Sequence, residues 1–164
     1  MTDLTVEPAQ AADVPGMLAL AGEVEHWFGP MVEEPGFHRA LDEHIADQRA
    51  LIAYDAIAGR TQPLGAVLFG GESPRYAVHW LVVSERARGR GVGRRLMTDV
   101  VARLTDGRGL AAGEVVEVVT FGEDHPGAVA SGARVFYERL GFTPAEPAPN
   151  GPEGGSRQVF RYQR

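Results

Sequence analysis

One stretch of the sequence, SERARGRGVGRRLM at residues 84–97, carries its clearest chemical signal. Basic residues and glycines alternate there: Arg86, Arg88, Gly89, Arg90, Gly91, Gly93, Arg94 and Arg95. The apolar run HWLVV precedes the stretch, and apolar residues at helical spacing follow it. A glycine-rich turn between a strand and a helix is typical of an anion site, because the unpaired amides and the helix dipole both attract negative charge.

Phosphate is the anion that this stretch fits best. Arginine forms charge-assisted hydrogen bonds to phosphate oxygens, and glycine lets the backbone approach them closely. A GxxxxGK[ST] loop is excluded because the sequence contains no lysine. A dinucleotide-binding G-x-G-x-x-G starting at Gly89 is disfavoured, because its third glycine would fall on Arg94. A solvated turn that only caps a helix is the alternative, and it is our expectation for Arg86 and Arg95.

The composition is that of an acidic globular protein. The chain has 164 residues, of which 44% are hydrophobic, and its net charge is -6, which disfavours binding to nucleic acid. The absence of cysteine excludes disulfides and thiolate sites, and the five histidines lack the H-E-x-x-H spacing, so we predict no metal. Without a signal peptide or an apolar run of about 18 residues, we expect a cytoplasmic protein with no membrane partner.

Hydrophobic periodicity predicts an α/β fold in one domain, residues 1–164. We expect a single mixed, mostly antiparallel twisted sheet of six to seven strands flanked by about four helices. The predicted strands are 4–6, two within 49–71, 76–83, 114–121 and 156–163. The predicted helices are 16–28, 37–48, 91–104 and 126–140. The nearly continuous apolar run at 114–121 predicts burial on both faces, and residues 145–155 are predicted to be a loop.

Residues 82–97 resemble the acetyl-CoA-binding motif of the GNAT acyltransferase superfamily. That motif is an apolar strand followed by R-x-x-G-x-G/A at the start of a helix, matched here by Arg88, Gly91 and Gly93. The resemblance implies acetyl-CoA as cosubstrate, with its pyrophosphate wrapped by residues 88–94 and its pantetheine arm bonded to the strand backbone. The implied cofactor-binding residues are Val82, Val83, Arg88, Gly89, Arg90, Gly91, Val92, Gly93 and Arg94.

A second stretch, ARVFYERLGF at residues 133–142, is similar to another signature of the family. That signature is a helix ending in Tyr-x-x-x-Gly-Phe, and it places the tyrosine, Tyr137, near the thioester sulfur. The element order and the opening segment TVEPAQAADVPGMLAL agree with the family too. One departure is that Ala130, followed by Ser131, stands where many members carry a cofactor-contacting asparagine.

The implied activity is transfer of an acetyl group to a primary amine of a small molecule or peptide, by direct attack through a tetrahedral intermediate. Tyr137 is then the catalytic acid that protonates the departing thiolate, since a phenol with a pKa near ~10 holds its proton at neutral pH. A backbone N–H near Val83 is the expected oxyanion donor. Helical periodicity puts Val129, Ala133, Phe136 and Leu140 on the buried side, and Tyr137 on the flank.

The general base stays open at this point. An alkylammonium with a pKa of about 10.4 is almost fully protonated at neutral pH, so a base or a water chain is needed. His79 would share a strand face with Leu81 and Val83, although a core histidine is the alternative. His38 and His44 are expected to face solvent. The other candidates are Glu25, His26, Glu123 and His125, the last of which, with Asp124, could instead cap the helix at Pro126.

The acceptor pocket is predicted within residues 23–38. Trp27, Phe28, Met31 and Phe37 would form an apolar wall, and Glu33 and Glu34 would either attract a cationic amine or belong to a solvated acidic loop.

Two other functions compete with the enzyme. The same fold could be a non-catalytic acyl-CoA-binding or sensing module, or the Arg/Gly turn could bind RNA, although it lacks the interleaved aromatic residues that such a track needs. A homodimer is compatible with the family, and no residue pattern indicates one.

Overall fold

The computed structural model describes residues 4–163 and contains one seven-stranded mixed sheet. Its strands are β1 (Leu4–Pro8), β2 (Ala50–Asp55), β3 (Gly65–Glu72), β4 (Arg75–Val83), β5 (Val115–Phe121), β6 (Thr143–Ala148) and β7 (Arg157–Gln163). They lie in the order β1-β2-β3-β4-β5-β7-β6, and every neighbouring pair is antiparallel except β4 with β5. The predicted mixed, mostly antiparallel sheet is confirmed. Residues 1–3 and 164 of the predicted domain lie outside the described residues.

Helices cover both faces of this sheet. They are α1 (Val14–Gly22), α2 (Glu25–Phe28), α3 (Pro35–Ala46), α4 (Val92–Leu104), α5 (Pro126–Ser131) and α6 (Ala133–Arg139). The first three enclose one apolar core on one face, and α4 with α6 enclose a second core on the other. None of the helices within residues 4–163 has the length and apolarity needed to cross a membrane.

Two predicted helices are each split in two, which gives six α-helices among the described residues instead of about four. The predicted helix 126–140 breaks at Gly132, whose left-handed backbone (φ 69°) ends α5 and begins α6. The break changes which side chains face the core. Val129, predicted to be buried, is 88% exposed, and Tyr137 rather than Phe136 is the fully buried residue at 5%.

Two predictions about strands are wrong. In β5 only one face is fully covered: Val116 and Val118 are buried, whereas Val119 is 52% exposed. Part of the predicted loop 145–155 belongs to β6, which contains Pro144 and Pro147 and pairs only with β7. A strand with prolines is tolerated there because an edge strand needs hydrogen bonds on one side only.

A β-bulge in β4 inverts the faces of that strand. Leu68 of β3 lies opposite Trp80, but the next residue, Phe69, lies opposite Val78, so His79 has no partner. Before the bulge Val78 packs in the core under α4, and after it Trp80 packs in the core under α1–α3. The prediction that His79 shares a face with Leu81 and Val83 is therefore wrong, because strand alternation does not continue across a bulge.

The contact between α4 and α6 generates a stability prediction. A Cβ built on Gly93 would lie 2.6 Å from Cε1 of Phe136, which a packed ring cannot accommodate without moving. We expect Gly93→Ala to lower the free energy of unfolding by about 1–3 kcal/mol, the usual cost of overpacking, measured by urea denaturation. Gly36→Ala is the control, since its Cβ would meet only the flexible end of Arg39 at 3.8 Å. Equal stability of the two variants would contradict this packing role.

Candidate active site

A cleft opens where β4 and β5 separate. Their parallel pairing runs from Arg75 opposite Val115 to Val78 opposite Val118 and stops one residue before the bulge at His79. Beyond that point the two strands diverge around a cavity of about 890 Å³. The cavity is also lined by the start of α4 and by parts of α5 and α6. The bulge thus coincides with the opening of the sheet.

The β4 side of the cleft presents unpaired peptide groups. The amide of Ser84 donates to the carbonyl of Leu64 at 2.8 Å, and in an antiparallel ladder alternate residues bond the same neighbour. Val82 therefore bonds β3, whereas the amides and carbonyls of Leu81 and Val83 face the cleft. The expectation that the Val82 backbone is free is wrong. Leu81 is missing from the predicted site, and only the strand register reveals it.

The β5 side is built in the same way. Gly122 donates to the carbonyl of Ser156 at 2.9 Å, so alternate residues of β5 bond β7, and the peptide groups of Val119 face the cleft. The side chain of Val119 is exposed although β5 is a central strand, because it borders the opening rather than a covering helix.

The Arg/Gly loop places a row of free amides at one end of the cleft. Gly89 (φ 80°) and Gly91 (φ 78°) adopt left-handed backbone conformations, and α4 begins directly afterwards. Within residues 4–163 the amides of the loop and of the first helical turn that donate no hydrogen bond are those of Gly89, Gly91, Val92, Gly93 and Arg94. Together with the dipole of the thirteen-residue helix α4 they form an anion cradle.

The five arginines of this stretch have different positions. Arg88 and Arg94 are exposed and line the cleft, and Arg88 reaches the carbonyl of Ser131 at 3.3 Å. Arg90 lies outside the cleft lining and pairs with Asp55 of β2 at 3.6 Å. The remaining two are exposed, as expected, and are bonded as well: Arg86 donates to the carbonyl of Pro63 at 2.9 Å, and Arg95 lies 3.4 Å from Asp99.

Tyr137 lies on the α4–α6 side of the cleft. Its ring packs among Phe136, Phe142 and Phe160, and the residue lines the cavity. Burial raises the pKa of its phenol well above the usual range, so the hydroxyl holds its proton at neutral pH. The predicted acid, Tyr137, is therefore a protonated donor at the cleft, although its side chain reaches the cleft from the core rather than from the flank.

Four of the candidate bases have other positions or roles. The carboxylate of Glu25 accepts the amides of Met31 (2.6 Å) and Val32 (3.0 Å), and these bonds lower its pKa. His125 caps α5 by accepting the amide of Gly127 at 2.8 Å, which confirms the capping alternative. Like Glu25 and His125, His26 and Glu123 lie outside the cleft lining.

His79 is the one candidate base among the described residues that lines the cleft. It is exposed rather than a core histidine, and its Nδ1 lies 2.8 Å from Nε2 of His44 on α3. Partial burial and the nearby charge of His44 lower the pKa of His79 below its usual value. His44, expected to face solvent, is half-buried and hydrogen-bonded; His38 is half-buried too and bonds the carbonyl of Val32.

The opposite end of the cleft is apolar and aromatic. Val24, Phe28 and Trp80 line it, and the ring of Phe28 stacks on Phe121 with centroids 4.4 Å apart. Arg157 lies over both phenylalanine rings at 5.5 and 5.0 Å. Sequence reasoning missed Trp80 and Arg157, because neither belongs to a recognisable motif.

The rest of the predicted acceptor wall is set back from the cleft. Trp27 lies outside the cleft lining, and Met31 and Phe37 pack against the core under α1–α3. Glu33 and Glu34 are exposed loop residues. No group of three or more metal-binding side chains occurs in the part of the chain that the structure describes.

Residues 46–144 match the family model of the acetyltransferase (GNAT) domain, whereas no curated protein matches the chain. Ard1 from Thermoplasma volcanium superposes with a TM-score of 0.72 at 16% identity, covering 97% of this chain and 96% of that one. Arabidopsis thaliana Naa50, in complex with the bisubstrate analogue CoA-Ac-MVNAL, gives 0.69 at 16% over 98% and 99%. The PaiA N-acetyltransferase from Thermoplasma acidophilum, in complex with coenzyme A, gives 0.71 at 11% over 99% and 99%.

The Glu25 contacts generate a prediction about the loop between α2 and α3. Glu25→Ala removes the acceptor for the amides of Met31 and Val32, so we expect these two amides to exchange hydrogen roughly tenfold faster. Hydrogen exchange followed by NMR measures this directly. Glu33→Ala is the matched control, because its exposed side chain accepts no bond among the described residues. Unchanged exchange at both amides in Glu25→Ala would contradict the structural role.

Proposed function

The chain belongs to the GNAT acetyltransferase family, and from this we propose that it transfers an acetyl group from acetyl-CoA to a primary amine of a small molecule or peptide. We propose further that residues 1–164 form a single domain. One observation carries the proposal: the free amides at the start of α4 and the unpaired peptide groups of β4 lie along the same cleft. Coenzyme A carries phosphate groups in its pyrophosphate and amide groups in its pantetheine arm, and both need such partners.

The cofactor fits the cleft on chemical grounds. The amides of Gly89 and of residues 91–94 would bind its pyrophosphate, with Arg88 and Arg94 as charged clamps. The peptide groups of Leu81 and Val83 would bond the pantetheine amides as a neighbouring strand does. Bound acetyl-CoA supplies an activated thioester, and every other catalytic element comes from the chain. Gly93 serves the packing on Phe136, so its lack of a side chain is explained without the phosphate.

Two groups of the chain would stabilise the reaction. The amide of Leu81 or Val83 donates to the oxygen that becomes negative when the amine attacks. The hydroxyl of Tyr137 donates its proton to the departing sulfur, and solvent then restores it. Burial raises the pKa of this phenol, which by itself would oppose proton transfer to sulfur. The same desolvation raises the pKa of a thiol that leaves into the cleft, so the difference between the two pKa values is reduced.

The acceptor would bind at the aromatic end of the cleft. Phe28 and Trp80 would cover its apolar part, which suits a peptide or an amino-acid amide with an apolar side chain. The peptide moiety in the Naa50 complex supports this acceptor class.

Cofactor binding can be tested on two adjacent arginines. Arg94 lines the cleft, whereas Arg95 contacts Asp99 on the outer side of α4. We expect Arg94→Ala to weaken acetyl-CoA binding roughly tenfold or more, the loss of one hydrogen bond to a charged group, and Arg95→Ala to leave Kd unchanged. Isothermal titration calorimetry at fixed salt measures both. Equal affinities of the two variants would contradict the assigned cradle.

Turnover can be tested with Tyr137→Phe. We expect the wild type to release free thiol from acetyl-CoA with an amine chosen from a panel of peptides, amino-acid amides and small amines. Tyr137→Phe should lower kcat by about 10² without changing the affinity for acetyl-CoA, because only the donor to sulfur is lost. Tyr162→Phe is the control: its ring packs on Phe142, away from the cleft lining.

The outcomes separate three conclusions. Equal kcat of Tyr137→Phe and wild type would remove the acid assignment alone. Acetyl-CoA binding without thiol release for any amine would favour the non-catalytic binding module. Absence of acetyl-CoA binding would overturn the proposed function as a whole.

A further inference from the structure

The two histidines between α3 and β4 have defined tautomers. Nδ1 of His44 lies 2.6 Å from the carbonyl oxygen of Ala40, which can only accept, so His44 carries its proton on Nδ1. Neutral His44 therefore presents a lone pair on Nε2. That atom lies 2.8 Å from Nδ1 of His79, which must donate. The hydrogen-bond chain leaves Nε2 of His79 as the unprotonated, basic end.

The two histidines of this hydrogen-bond chain lie in different surroundings. His79 is the bulge residue of β4 and lines the cleft, and its ring lies so close to Gly70 that a Cβ there would come within 2.9 Å of Cε1. His44 lies in the last turn of α3, where the carbonyl end of the helix favours a cation. A proton accepted in the cleft thus has a second position outside it, held by a helix terminus.

Charged groups on two elements flank His44, the end of the hydrogen-bond chain that lies outside the cleft. On α3 the exposed Glu43 directly precedes His44, and the exposed Asp47 follows the end of the helix. From the start of β2, Arg49 donates its amide to the carbonyl of His44 at 2.7 Å and its guanidinium to the carbonyl of Gly71 at 3.4 Å. Towards the cleft, His44 is the group whose charge acts on His79.

We propose that His79 is the general base of the acetyl transfer and that His44 is its proton relay, an inference that rests on the proposed function. The N–H bond of the attacking amine breaks as its proton goes to Nε2 of His79. The Nδ1 proton of His79 passes to Nε2 of His44, which becomes an imidazolium and returns a proton to solvent. His79 ends with its proton on Nε2, and exchange with solvent resets both tautomers.

The relay accounts for an arrangement that would otherwise weaken the base. Partial burial and the charge of His44 lower the pKa of His79, so on its own it would hold an abstracted proton poorly. Transfer to His44 moves the charge to the more favourable helix terminus.

A purely structural pair, which only fastens α3 to β4, makes different predictions. His44→Gln keeps an amide oxygen that accepts from Nδ1 of His79 but cannot take its proton, whereas His44→Ala removes both functions. A structural role predicts normal turnover in His44→Gln and loss only in His44→Ala. The relay predicts that both variants are slow.

The experiment measures thiol release by the full chain over a range of pH. We expect His79→Gln to lower kcat about 10² and His44→Gln to lower it roughly tenfold, with KM for acetyl-CoA and the melting temperature unchanged. Without the charge of His44, and with an acceptor kept on Nδ1, the pKa of His79 rises, so the acidic limb of the kcat profile moves to higher pH. Asp42→Asn, an exposed position on the same helix, should behave as the wild type.

Normal kcat and an unmoved acidic limb in His44→Gln, with an active wild type, would overturn the relay and leave the proposed function intact. Absence of thiol release by the wild type would instead overturn the proposed function and the base assignment with it. Imidazole ¹⁵N NMR of the free protein adds a readout independent of turnover. It should show both neutral rings protonated on Nδ1, and Nε2 protonation of either ring would overturn the relay.

Discussion

The unpaired residue His79 in β4 is the constraint on which the rest of the site depends. A bulge adds local twist and ends regular pairing. Here the parallel pairing of β4 with β5 stops one residue before the bulge. The peptide groups of Leu81 and Val83 are left facing a cavity instead of a strand. Unpaired backbone inside a protein is costly unless a ligand or water satisfies it, so the open sheet is itself a binding surface.

The anion cradle depends on glycines that serve different purposes. Gly89 and Gly91 supply left-handed backbone, which turns the chain so that successive amides point the same way. Gly93 has an ordinary helical role and lets α4 approach Phe136 of α6. One motif therefore fixes both the direction of the amides and the closeness of the two helices that border the cleft. The arginines contribute charge, but the backbone determines the geometry.

Hydrophobic periodicity and motif spacing were sufficient to predict six of the seven strands, α4 and the loop before it, because these depend on local sequence. The bulge at His79 was not predictable, since it depends on the register between two strands rather than on one of them. For the same reason the free backbone was assigned to Val82 instead of Leu81. The break at Gly132 changed the buried face of the last helix, and that single left-handed residue moved Tyr137 from the expected flank into the core.

The cleft passes through the sheet, and this separates the two groups that would exchange protons with the reactants. Tyr137 approaches from the core under α4 and α6, whereas His79 contacts α3 on the opposite face. In direct contact the phenol proton and the imidazole lone pair would form a hydrogen bond with each other, and neither would be free for the reactants. With the strand backbone between them, the phenol keeps its proton and the imidazole keeps its lone pair. In the proposed mechanism, the opened sheet would thus supply an oxyanion donor in the middle and one proton-transfer group on each side.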